Sequence, residues 1–95
     1  MTQLTIQSQH ASQVRPLIKA AIEHELRVIR HGIGKTRRNL DRFEKEFDME
    51  SERFYGEFQA GRLGDRMEYI KWAGEYETLR QLEKDRAQIE GVEVC

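Results

Sequence analysis

Cysteine is nearly absent from this chain. The only one, Cys95, is the last residue and has no partner for an internal disulfide, so a disulfide framework is excluded and a reducing compartment is permitted. No apolar run approaches the length of a membrane span. The opening MTQLTIQSQHAS has no basic region followed by a long apolar stretch, so no signal peptide is read there, and a soluble, cytoplasmic protein is expected. Neither sign of charge dominates: 16 Lys and Arg stand against 17 Asp and Glu, for a net charge of -1, whereas a dedicated nucleic-acid binder usually carries a clear basic excess. Aromatic residues are missing from the first 42 positions, and all eight fall between Phe43 and Tyr76. The single proline, Pro16, sits late for the first turn of a helix.

What is present is helical periodicity. Ile22, Leu26, Ile29, Ile33, Thr36, Leu40, Phe43 and Phe47 follow one another in alternating steps of four and three. That spacing draws an apolar stripe along one face of a helix and demands a partner helix to cover it. Charged residues make up 35% of the chain and the mean hydropathy is -0.79, which suits long helices flanked by solvent. Ninety-five residues form one domain, residues 1–95, small enough that oligomerisation or a bound partner is a natural supplement to its core.

The expected first helix runs from about Ser12, read as its N-cap with the start able to shift to Gln13 or Val14, to about Phe47, roughly 54 Å. Gly32 and Gly34 lie inside it and each costs about 1 kcal/mol relative to alanine. The stripe stays in phase across both, so one continuous helix is expected, with the glycines allowing a neighbour to approach. After the break at Asp48–Ser51, Ser51 is read as the cap of a short helix carrying Phe54, Tyr55 and Phe58, which Gly61 ends. Asp65 with Glu68 is read as a capping box opening the last helix, whose apolar face is Tyr69, Trp72, Tyr76, Leu79, Leu82 and Ile89 and which Gly91 stops. The short and last helices together match the first in length, so a hairpin would let them cover its whole stripe. Short strands are expected at Leu4–Gln7 and Val92–Val94, paired with each other or with another chain.

Motifs that carry chemistry are weak. Gly32-Ile33-Gly34-Lys35-Thr36 echoes the end of a phosphate-binding loop, but Ile29 stands where the first glycine belongs and no strand precedes it. His24 and His31 are seven apart, whereas helical metal sites use spacings of three or four, so no metal or other cofactor is expected. No Ser, Cys or His constellation supports nucleophilic catalysis, and an enzyme is not expected. The basic run Arg27, Arg30, His31, Lys35, Arg37, Arg38, Arg42 has two readings. Arg27, Arg30, Lys35, Arg37 and Arg38 could follow a phosphate backbone, or the run could pair with Glu75, Glu77, Glu83 and Asp85 of the returning helix, which is the favoured reading.

One combination is familiar as a whole. It is the helix end Leu40-Asp41-Arg42-Phe43-Glu44-Lys45-Glu46-Phe47, then Ser51-Glu52-Arg53-Phe54-Tyr55 with Gly61, then Asp65 with Trp72-Ala73 and Tyr76, and the terminal Ile89, Val92 and Val94. It resembles a group of small helical-hairpin proteins of bacteria and archaea, some of which look like the antitoxin partners of two-gene toxin–antitoxin modules. The resemblance covers about residues 20 to 94 and implies a hairpin fold and a non-enzymatic, antitoxin-like role. It carries over no catalytic, cofactor or nucleic-acid residue.

These readings converge on an all-α antiparallel hairpin: a long helix, a short helix and a second long helix, with short terminal strands. Leu17, Ala20, Ala21 and Val28 lie beside the main stripe and widen the apolar face at the open end of the hairpin. The expected partner-binding residues are therefore Leu4, Ile6, Leu17, Ala21, Val28, Val92 and Val94, occluding the working surface of a small toxin. The alternatives are a self-assembling homodimer or four-helix bundle built on the same surface, and a nucleic-acid-binding helix. No membrane partner is expected.

Overall fold

The structure is a computed structural model that describes residues 2–4 and 11–94, with side chains described over 12–92. Its body is helical: α1 spans Ala11–Phe47, α2 Ser51–Gln59 and α3 Met67–Glu90. The helices form an elongated antiparallel hairpin with extents of 58 × 22 × 18 Å. Two three-residue extended segments flank them, β1 (Thr2–Leu4) and β2 (Val92–Val94), lying parallel with Thr2 beside Val92 and Leu4 beside Val94. The strand expected over Leu4–Gln7 overlaps β1 only at Leu4, because Thr5, Ile6 and Gln7 lie outside the described residues.

α1 is one uninterrupted helix of 37 residues, passing through both glycines. The seam explains why. Ile29, Ile33, Thr36 and Leu40 are buried, and Ile22, Leu26, Phe43 and Phe47 are half-buried, so the side expected to need a partner is the side that has one. Gly32 belongs to that packing: a Cβ there would stand 3.2 Å from Cδ1 of Leu82 on α3, so the missing side chain makes room for a leucine of the opposite helix. Gly34 has no such role, with only the end of the Arg38 side chain 3.5 Å away. The start of α1 corrects the expected cap. Ser12 lies inside the helix, which begins at Ala11, and Pro16 is also internal. Pro16 removes the N–H that would reach the carbonyl of Ser12, a loss confined to the end of the helix.

Both turns are closed by backbone geometry. Asp48 takes a positive φ of 50° and the N–H of Met49 reaches back to the carbonyl of Glu44, which terminates α1. At the end of α2, Gly61 (φ 75°) donates to Phe58 O and Arg62 to Glu57 O, the paired bonds of a Schellman motif.

The starts of α2 and α3 also differ from expectation. Glu50 is the N-cap of α2 and makes no side-chain capping bond, while Ser51 is the first helical residue and is buried. The free N–H of Ser51 donates to Oε2 of Glu44 at 2.7 Å, so a carboxylate on α1 does the capping. This leaves the Ser51 hydroxyl free to accept a 2.9 Å bond from Nε1 of Trp72. α3 starts at Met67 behind the N-cap Arg66, with no side-chain capping bond, so the Asp65–Glu68 capping box does not form. Glu68 instead accepts its own backbone N–H and pairs with Arg66 at 3.3 Å; these contacts, in that order of size, hold its carboxyl below the usual range.

The aromatic residues assemble at the closed end. Phe54 and Trp72 are fully buried and stacked 3.8 Å apart at 5°, with Phe43 and Phe47 stacked on Trp72 at 5.7 and 5.5 Å. Tyr69 meets both Phe47 and Phe54, and Leu40 and Ala73 complete the buried cluster. Among the described residues, no buried side-chain nitrogen or oxygen lacks a hydrogen-bond partner.

Candidate functional site

How far α3 reaches along α1 defines the candidate site. α3 begins beside the end of α1, where Tyr69 meets Phe47, and its last residue, Glu90, pairs with Arg30 at 3.8 Å. α2 does not extend α3 in line, as the matching lengths implied. Its Phe54 is buried in the closed-end cluster, so its nine residues thicken that end instead. Cover by Ile89 at the end of α3 and by Val92 beyond it therefore reaches Leu26 and Ile22, and the stretch Ala11–Ala21, roughly 16 Å of helix, runs past it.

The main stripe is half-sheltered where this cover ends. Ile22 and Leu26 share a groove with Ile89 and Val92, all four half-buried. The flank of α1 beside it is bare. An α-helix turns 100° per residue, which places Leu17, Ala21 and Val28 together on one side of the seam, the side that also carries Gly32 and Asn39. Leu17 is 70% and Val28 51% exposed, and Ala20 and Ala21 are exposed with them. α2 packs on the opposite flank, where Arg37 and Leu40 share a groove with Ser51 and Tyr76.

The expected partner-binding residues thus separate. Leu17, Ala21 and Val28 form one continuous exposed flank. Val92 belongs to the groove on the main stripe. Ile6 lies outside the described residues, and Leu4 and Val94 are placed only as backbone, in β1 and β2. Sequence reading missed Met67 and Ile70, which are 61% and 47% exposed near the closed end. The signal was available: neither falls in the Tyr69, Trp72, Tyr76 series that faces α1.

The basic run of α1 follows its favoured reading in part. Arg30 pairs with Glu90 and Arg37 with Glu83 at 3.5 Å, one heptad apart on each helix, and Asn39 donates to Glu75 at 3.3 Å. Glu77 is engaged by the Tyr55 hydroxyl and Asp85 by Gln81, both at 2.9 Å. Among the described residues, Arg27, Lys35 and Arg38 have no ion pair, and Arg42 bonds Asn39. Cross-pairing therefore uses two cations of the run, and Arg27, His31, Lys35, Arg38 and Arg42 face solvent.

Chemically the surface offers contact. Among the described residues, no group of three or more His, Cys, Asp and Glu could hold a metal ion, and no helix is long and apolar enough to cross a membrane. Compared with known protein families, with curated proteins and with solved structures, the chain matches none.

Proposed function

We propose that this protein is a non-enzymatic protein–protein interaction module, an antitoxin-like partner whose open half covers the working surface of a small toxin. The observation that carries the reading is the exposed flank Leu17, Ala21 and Val28 on a helix that continues roughly 16 Å past the groove of Ile22, Leu26, Ile89 and Val92. A closed end with a buried aromatic core folds without help, which frees the remainder of α1 to present an apolar ridge. In this reading the terminal segments β1 and β2 form one edge of the same surface. The resemblance of residues 20 to 94 to antitoxin-like hairpins names the kind of partner.

Co-expression tests it. One product of a neighbouring reading frame should arrest growth when made alone, and this chain should relieve the arrest and co-purify with that product at a fixed ratio. Leu17→Asp with Val28→Asp should abolish both effects while the helical content stays unchanged. If no neighbouring product is toxic, or if the double variant protects as well as the parent, the reading fails.

A second reading places another copy of this chain on the same flank. It is favoured by the steps of four and seven between Leu17, Ala21 and Val28, which are those of a heptad seam. Light scattering separates the two. A stable homodimer abolished by the double variant supports self-assembly, and a monomer that associates only with the neighbouring product supports the first reading.

A further inference from the structure

We propose that the solvent-facing back of α1 is a docking ridge for the phosphate backbone of double-stranded nucleic acid. The inference rests on what the cross-helix pairs leave over. With Ile29, Ile33, Thr36 and Leu40 buried against the rest of the hairpin, rotation at 100° per residue directs Arg27, His31, Lys35, Arg38 and Arg42 outward, and all five are exposed. They follow one another by four, four, three and four residues, one per helical turn, over about 22 Å. One strand of duplex DNA presents about six phosphates over that length.

Glu23 and Glu46 flank the two ends of the ridge, and the neighbouring carboxylates between them are committed elsewhere. Asp41 pairs with Lys45 at 2.9 Å, and Glu44 caps Ser51. Glu90 and Glu83 take Arg30 and Arg37, which leave the ridge for the side of the hairpin. Three of the five ridge residues are arginines, whose planar fork matches phosphate oxygens. Val28, one heptad before Lys35, brings the apolar flank to the Arg27 end of the ridge, but from His31 to Arg42 the ridge carries no apolar side chain, whereas a protein partner would need an apolar centre to seal the contact. The near-zero net charge hides this segregation. Residues 1–47 hold nine Lys and Arg against five Asp and Glu, and residues 48–95 hold seven against twelve, so the acidic excess belongs to the second half of the chain.

The test is fluorescence anisotropy of a labelled random-sequence duplex across a salt series. Four permanent cations give an expected log–log slope of about -3.6, a loss of about 150-fold in affinity between 50 and 200 mM salt. The triple variant Lys35→Gln, Arg38→Gln, Arg42→Gln should lower the slope to about -0.9. Arg53→Gln, on α2, should leave it unchanged. Because the substituted side chains are exposed, the triple variant should keep the circular dichroism of the parent; should it not, the parent's slope and that of Arg38→Gln alone decide. No binding at 50 mM salt, a flat slope, or equal loss in Arg53→Gln overturns the proposal. So does equal displacement by polyglutamate, which would assign the ridge to an acidic protein.

Discussion

At its closed end the hairpin encloses large flat side chains from three helices; at its open end a single helix carries small aliphatic ones past the last residue of α3. Phe54 and Trp72 are fully buried within a shell of further aromatics, while Leu17 and Val28 are more than half exposed. Both stretches of α1 carry the same heptad stripe. The difference comes from what each finds opposite: Trp72, Tyr69 and Phe54 in one half and, among the described residues, the aliphatic Ile89 and Val92 in the other. Stability thus concentrates where three helices meet, and available surface concentrates where α1 extends past α3.

The sharpest way to break that contrast is Trp72→Ala. Truncating a fully buried ring stacked on Phe43, Phe47 and Phe54 should cost about 3–5 kcal/mol in urea or guanidinium unfolding. For a chain this small, that is a large fraction of its total stability. Ser51→Ala asks a narrower question of the same core. It removes the acceptor of the buried indole N–H and leaves the Glu44 cap on the backbone of residue 51 intact, so a cost of about 2 kcal/mol is expected. A cost near zero would show that the indole finds water instead and that the closed end is looser than its burial indicates.

The glycines of α1 sharpen the comparison from the other half. Gly34→Ala places a methyl group where only a flexible arginine end lies nearby and should raise stability by about 0.5–1 kcal/mol. Gly32→Ala gains the same backbone preference but must move Leu82 by a few tenths of an ångström, so its melting temperature should rise less than that of Gly34→Ala. Equal gains would mean that α3 holds α1 only loosely at Leu82. Smaller still, Leu17→Ser should change stability by less than about 0.5 kcal/mol, because the side chain is 70% exposed. In the proposed function the same substitution weakens partner binding, so the open half separates folding from contact in a way that Trp72 cannot.

Much of this architecture was legible in the sequence, for a physical reason. A stripe of alternating three- and four-residue steps specifies a continuous covered helix whatever covers it, so α1 and its seam could be read from Ile22 to Phe47 across two glycines. The gathering of all eight aromatics in one stretch likewise marked the closed end. The caps were not legible. Ser51 carries a capping residue's side chain, but Glu44, seven positions earlier, reaches its N–H, and a fold-dependent contact of this kind has no local signature. Asp65 and Glu68 have the spacing of a capping box, yet Arg66 occupies the cap position. The extent of cover was equally hidden: matching lengths suggested that α2 and α3 lie in line, and the burial of Phe54 among rings of the other two helices draws α2 alongside them. For the site, the widened apolar flank and the basic run could both be read, but not which cations of the run stay unpaired. Pairing depends on which carboxylates come within reach of Arg30 and Arg37, and that is fixed by the antiparallel register.

The smallest expected effect lies at the edge of the closed end, in the response to alkali. The Tyr55 hydroxyl donates to Oε1 of Glu77 at 2.9 Å, tying α2 to α3. Donating to that carboxylate is the first cause that raises its pKa above the ordinary 10.0, with burial adding to it. The protonated form is thus the one the fold prefers. Its contribution is fully present below pH 10.0, where the unfolded chain is also protonated, and is lost as pH rises through the higher folded value. Tyr55→Phe removes the linkage, so its melting temperature should fall less steeply than the parent's between about pH 9 and 11. Parallel curves for parent and variant would show that solvent screens the bond and that α2 is held by its apolar face alone. A steeper parent curve would place a polar tether across the aromatic end, a kind of contact that the bare flank of the open half lacks.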